Sequence, residues 1–290
     1  MTFFMRNEEQ VLKQALDFAS ADDRVRAVIL NGSRVNQNAP KDFMRDYDVV
    51  FFVNDIEDMS FKRDRSWIAQ FGELVMLQQN NFDDGSYIFL MQFDDSVRID
   101  LYFYDINKVN AKAKEDSLSI VLLDKDNVIN QLPEPNESTY FITKPSMEKW
   151  DATLNELWWL QIYIAKELWR EELPLVKELY DVYFIDSLRA LVEWSIGYKH
   201  NWQINVGKCG KWFKYFLDKD LYEEYISFYT GADYAEIWDR LLKVGSFIRK
   251  IGIELADKLG YEYPMQYDIN VSQYIRRVRQ LPKDVQSMEN

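Results

Sequence analysis

The hydrophobic pattern of this chain changes period once, and that change sets what it can fold into. Up to about residue 105 the apolar residues fall in short runs: Val25 to Leu30, Tyr47 to Val53, Leu74 to Leu77, Tyr87 to Phe93 and Val97 to Tyr104. Runs of this length, rich in Val, Ile, Phe and Tyr, read as strands. Asp83-Asp84-Gly85 and Asp94-Asp95 mark the turns between the last three. Glu8 to Ala19 reads as a helix, with Val11, Leu12, Ala15, Leu16 and Ala19 at helical spacing, and Phe61 to Phe71 as a second. Beyond Pro145 helical spacing dominates. Leu154, Leu157, Trp158, Ile162, Ala165, Leu168 and Trp169 repeat at three and four residues, as do Val182 to Ile196, Trp212 to Leu217 and Ala235 to Leu259. Between the two textures lies Gln131-Leu132-Pro133-Glu134-Pro135-Asn136, a linker by composition. The expected fold class is α+β: a mixed sheet flanked by helices over residues 1–135, then a helical bundle over residues 136–290.

Size agrees with two domains, since 290 residues exceed what one average core organises. Aromatic residues make up 16% of the chain, and most are expected to fill cores. The net charge is −13. A nucleic-acid binder carries a basic face to neutralise phosphates, so no nucleic-acid partner is expected; an acidic surface favours a cationic one. The single cysteine, Cys209, makes no intrachain disulfide and no zinc site, and the single histidine, His200, excludes any site needing two. The first residues lack the apolar core of a signal peptide, and no apolar run reaches membrane-spanning length. A cytoplasmic protein with no membrane partner is the expectation. The oligomeric state is not set by the sequence; a monomer satisfies every requirement here.

Three pieces of the first half carry chemistry. Gly32-Ser33 follows a strand directly, where it forms either a plain turn or a backbone cradle for an anion, with free amides at a following helix start. After twelve intervening residues, Asp46-Tyr47-Asp48 opens Val49-Val50-Phe51-Phe52-Val53. Side chains alternate along a strand, so Asp46 and Asp48 share a face with α-carbons about 6–7 Å apart. Two such carboxylates repel unless a cation sits between them, and rigid oxygen ligands suit Mg²⁺. The third piece is Asp100, an acid inside the apolar run Val97 to Phe103, costly to bury unless paired or metal-bound.

In this order and spacing, residues Val28 to Val53 resemble the nucleotidyltransferase superfamily that includes DNA polymerase β and the aminoglycoside adenylyltransferases. Two segments of the second half are similar more specifically to the aminoglycoside 6-adenylyltransferases, the streptomycin-modifying group. They are Asn155-Glu156-Leu157-Trp158-Trp159 with Tyr163 to Lys166 and Arg170 to Leu173, and Val206-Gly207-Lys208-Cys209-Gly210-Lys211-Trp212-Phe213. Glu167 and Cys209 depart from the small residues expected there.

The resemblance implies a nucleotidyltransferase domain over residues 1–135 and a helical substrate-binding domain over residues 136–290. It implies ATP as co-substrate, Mg²⁺ as cofactor and a cationic aminoglycoside, streptomycin at its 6-hydroxyl, as acceptor. Asp46, Asp48 and Asp100 would hold the metal, with Asp100 acting as ligand, general base or both. Gly32, Ser33 and Arg34 would contact phosphates, with Lys208 and Lys211 approaching from the helical half across an interdomain cleft. On spacing alone those lysines read equally as surface charge, or as a pair flanking a glycine-loosened helix start. Glu156, Trp159 and Asp181 are the substrate-binding candidates, and Glu172 and Asp186 are further acids of that half. A guanidinium-bearing ligand would use such carboxylates and Trp faces. Two rivals remain: a nucleotidyltransferase acting on a protein or RNA end, and a non-catalytic module of the same fold.

Overall fold

The Val- and Phe-rich run becomes a seven-residue strand, β2 (Tyr47–Val53), of the six-stranded mixed sheet that organises the first half of the chain. The computed structural model describes residues 5–58 and 60–284, and the chain divides between Thr139 and Tyr140 into two compact units.

In the first unit α1 (Glu8–Ala21) leads into β1 (Val25–Asn31). After β2 come α2 (Ser60–Arg63), β3 (Leu74–Asn81), β4 (Tyr87–Phe93), β5 (Arg98–Asp105), α3 (Val109–Glu115) and β6 (Ser119–Asp124). The sheet order is β3-β4-β5-β2-β1-β6. β2 and β5 lie parallel at its centre, and every other neighbouring pair is antiparallel. Strand alternation sorts the side chains. Tyr47, Val49, Phe51 and Val53 enter the larger core with Phe89, Ile99, Leu101 and Phe103, beneath Phe18, Trp67 and Phe71. Val50 and Phe52 enter a smaller cluster with Ala27, Ile29 and the α3 residues Val109 and Ala113. Asp48 and Asp100 have the parity of that second, thinly covered face.

Two expectations shift here, and two elements appear that were not expected. Phe61 to Phe71 is not one helix: Asp64 accepts the Ser66 amide at 2.9 Å, an Asx turn that competes with helical bonding and splits it into α2 and a 3₁₀ segment, Ser66–Phe71. The strand expected at Leu74 to Leu77 runs on to Asn81. α3 and β6 went unread, although Ile120-Val121-Leu122-Leu123 is an apolar run bounded by polar residues.

The second unit is helical: α4 (Met147–Arg170), α5 (Leu173–Lys177), a π-helical segment Glu178–Phe184, α6 (Ile185–Lys199), α7 (Lys219–Ile226), α8 (Tyr234–Leu259) and α9 (Met265–Gln280). α4 starts where the Ser146 hydroxyl accepts the Lys149 amide, and ends at Glu171 in the left-handed conformation. Its stripe Leu154, Leu157, Trp158, Ile164 and Leu168 is buried. At roughly 1.5–3 kcal/mol for each large side chain, that burial outweighs propensity differences of tenths of a kcal/mol. Asp268, fully buried on α9, takes the Arg249 guanidinium from α8 and the Tyr263 hydroxyl. The helix expected from Val182 instead begins at Ile185, after the π segment, and Trp212 to Leu217 is not an α-helix but 3₁₀ turns. Among the described residues no helix is long and apolar enough to cross a membrane.

Candidate active site

The register of the central strands brings the acids together. Asp48 on β2 is paired directly with Asp100 on the parallel strand β5, and Asn31 on β1 faces Asp48 from the other side. Asp46 precedes β2 by one residue and shares the Asp48 face. One carboxylate oxygen from each of Asp46, Asp48 and Asp100 lies within 4.8 Å of the other two. Two unit charges about 4 Å apart repel by about 4 kcal/mol at an effective dielectric constant of 20. Burial first, then Asp46, Asp100 and Asp116, push the Asp48 carboxyl up to about 7, with Arg98 opposing. Three hard oxygen donors strained by mutual repulsion fit a Mg²⁺ ion, which would relieve that repulsion.

Two residues at this site had no role in the sequence reading. Arg98 lies two positions before Asp100 on β5. It donates from Nε to Oδ1 at 2.8 Å and from Nη2 to Oδ2 at 2.7 Å, and its Nε is 3.9 Å from Asp46 Oδ2. Spacing alone could have flagged it, since positions two apart share a strand face. Asp116, at the end of α3, adds negative charge near Asp48. Nothing in the local sequence marks it.

Gly32, Ser33 and Arg34 form a single 3₁₀ turn after β1, not the start of a helix. The Gly32 amide is committed to Leu118 O at 3.0 Å, so the expected cradle of free amides lacks that donor. Gly32 holds φ +75°, and a β-carbon there would collide with the Asp48 carboxylate. Its visible role is to let that carboxylate lie against the backbone. The Ser33 hydroxyl is buried and has no hydrogen-bond partner among the described residues. Arg34 was expected at phosphates, but its side chain is only 7% exposed and already engaged. The guanidinium lies 3.7 Å from the Tyr47 ring centroid, pairs with Glu8 at 2.9 Å and donates to the carbonyls of Arg45 and Asp46. Arg45 reaches back to Ser33 O at 3.1 Å. The two arginines tie the Gly-Ser turn to the backbone that carries Asp46.

In the second unit, Lys208 and Lys211 are exposed. The expected helix start is one 3₁₀ turn, Lys208–Gly210, with Cys209 left-handed at φ 57°. Lys211 Nζ lies 5.2 Å from the Trp212 ring centroid. Glu156 and Trp159 are exposed one turn apart on α4, Trp159 by 60%, an unusual degree for an indole. Asp181, on the π segment packed against α4, pairs with Lys177 at 3.0 Å. Asp186 pairs with Arg189, and Glu172 is exposed. His200 is exposed with its ring edge-on to Phe216.

Comparison with known proteins adds lineage to this geometry. A family model described as streptomycin adenylyltransferase matches residues 5–278. An aminoglycoside 6-adenylyltransferase of Campylobacter jejuni is 34% identical over 280 residues, covering 94% of this chain and 96% of that protein. One from Bacillus subtilis (strain 168) is 32% identical over 278 residues, covering 93% and 97%. A crystal structure of an aminoglycoside 6-adenyltransferase from Bacillus subtilis superposes with a TM-score of 0.48 at 27% identity, covering 96% of this chain and 100% of that one.

Proposed function

The chain belongs to the streptomycin adenylyltransferase family and is an adenylyltransferase, and from that premise we propose that it transfers AMP from ATP to the 6-hydroxyl of streptomycin, releasing pyrophosphate in the cytoplasm and inactivating the antibiotic. The non-catalytic reading falls with that membership. The observation that carries the proposal is the convergence of Asp46, Asp48 and Asp100 on one sheet face in a chain matched to the family over residues 5–278.

In this reaction the acceptor hydroxyl attacks the α-phosphorus in line. The new oxygen–phosphorus bond forms as the bond to the bridging oxygen of the β-phosphate breaks, and pyrophosphate carries away the electron pair. Asp46, Asp48 and Asp100 would hold Mg²⁺, which supplies positive charge against the negative charge building on the phosphoryl oxygens. The parallel β2–β5 pair holds Asp48 and Asp100 opposite each other, which limits their reorganisation during the reaction. The hydroxyl proton passes to a carboxylate of this set, for which Asp100 is the candidate. Arg34 and Arg45 act indirectly, holding the backbone that presents Asp46. Lys208 and Lys211 offer charge to the triphosphate.

Glu156, Trp159 and Asp181 suit a cationic acceptor: two carboxylates and an exposed indole face, all in an acidic chain. The same net charge of −13 weighs against an RNA end as acceptor. The test is a panel assay. The protein is incubated with ATP, Mg²⁺ and single aminoglycosides, and pyrophosphate release is followed. Release that depends on streptomycin supports the reading. Release that needs a protein or RNA acceptor instead would replace it.

A further inference from the structure

Arg98 is the strongest feature at the acid cluster that the proposed reaction leaves unused. Its guanidinium fork takes both oxygens of Asp100, at 2.8 and 2.7 Å, and its Nε stands 3.9 Å from Asp46 Oδ2. Asp100 is 8% exposed at its side chain and Arg98 is 45% exposed. The carboxylate is therefore fixed in the sheet, and the guanidinium is its movable partner. Arginine keeps its charge at every relevant pH and binds carboxylates through two parallel hydrogen bonds. Those bonds take one in-plane lone pair on each oxygen of Asp100, the pairs a chelating cation would also use, and they set a fixed positive charge beside the acid cluster.

We propose that Arg98 is the internal counter-ion of the acid cluster and exchanges with the divalent cation for Asp100. The inference rests on the reading of Asp46, Asp48 and Asp100 as the metal-holding set. With no cation bound, the fork offsets the repulsion among the three carboxylates. When a cation enters, it competes with the fork for Asp100 and meets the guanidinium's like charge, and the fork is released toward solvent. Arg98 thereby makes the affinity for the cation lower than the three acids alone would give. It is a positioning residue, acting through Asp100.

The test is Mn²⁺ binding to the full chain, read by electron paramagnetic resonance of the free ion with no nucleotide present. Arg98→Ala should tighten Mn²⁺ binding by roughly tenfold, the scale set by a lost hydrogen-bonded charge pair. Arg98→Lys keeps the charge without the fork and should fall between Arg98→Ala and wild type. Thermal melts in chelator give a second readout. Arg98→Ala should melt below wild type in chelator and gain more from added Mg²⁺. Equal or weaker Mn²⁺ binding by Arg98→Ala, in a chain whose circular dichroism matches wild type, overturns the exchange. If Arg98→Lys binds as wild type while Arg98→Ala is tighter, charge alone acts and the fork is refuted. If wild type and Arg98→Ala both fail to bind Mn²⁺, the metal-holding reading itself fails and takes this inference with it.

Discussion

A β-carbon added at Gly32 would penetrate the van der Waals shell of Asp48 Oδ2 and stand 3.2 Å from its carboxyl carbon. The turn after β1 and the acid on β2 are thus a single fitted unit. Gly32→Ala strains a backbone at φ +75° and pushes Asp48 out of its place beside Asp46 and Asp100. The strain alone costs about 1–2 kcal/mol. Activity should fall much further than stability, by roughly a hundredfold, because a displacement of about 1 Å suffices for such a loss. Turnover and thermal melting measured together check this. Near wild-type turnover would show that Asp48 has room to move.

Asp48→Asn removes a charge that its neighbours repel. It should lose most activity, on the order of several kcal/mol of transition-state stabilisation, while the fold persists. In chelator at pH 8 the variant should melt at or above wild type, because the repulsion with Asp46 and Asp100 is gone. A folded variant with wild-type turnover would remove Asp48 from the reaction.

The same carboxylate sets a pH dependence. Its folded value is raised to about 7 from an ordinary 3.8, so the folded chain holds the proton more tightly than the unfolded chain. Its contribution to stability is fully present below the ordinary carboxylate range and is lost as pH rises through about 7. In chelator, wild type should therefore lose more stability than Asp48→Asn between about pH 4 and about pH 7, the two ends of that window. Mg²⁺ affinity should rise across the same interval, since the cation needs the ionised form. Parallel melting curves for the two proteins across that range would contradict the assignment.

Lys208→Ala should weaken ATP binding and leave aminoglycoside binding unchanged, because a cationic acceptor gains nothing from a lysine. Separate calorimetric titrations of each ligand distinguish the cases. An unaltered ATP affinity returns Lys208, exposed on its 3₁₀ turn, to ordinary surface charge.

The acids were legible because their chemistry follows from strand parity. Asp46 and Asp48 share a face whatever the tertiary structure, and the run Tyr47 to Val53 is too β-rich to be read otherwise. That Asp48 lies opposite Asp100 was not legible as geometry, since β2 and β5 are separated in the chain by two other strands and pair in parallel. Arg98 shares the Asp100 face by the same parity, so its fork on that carboxylate was open to a reading of spacing, and only its approach to Asp46 needed the tertiary pairing. Arg34 was read from its place after Gly-Ser as a phosphate contact, whereas the stack on Tyr47 and the carbonyls of Arg45 and Asp46 claim its guanidinium. Short elements such as α3, with seven residues, carry too few apolar positions to set a period.

The most direct measurement is mass spectrometry of streptomycin after incubation with the protein, ATP and Mg²⁺, with fragmentation to locate the modified hydroxyl. The account predicts one AMP on the 6-hydroxyl, none without Mg²⁺, and no modification of gentamicin or kanamycin under the same conditions. Unmodified streptomycin alongside an adenylylated gentamicin or kanamycin would contradict it.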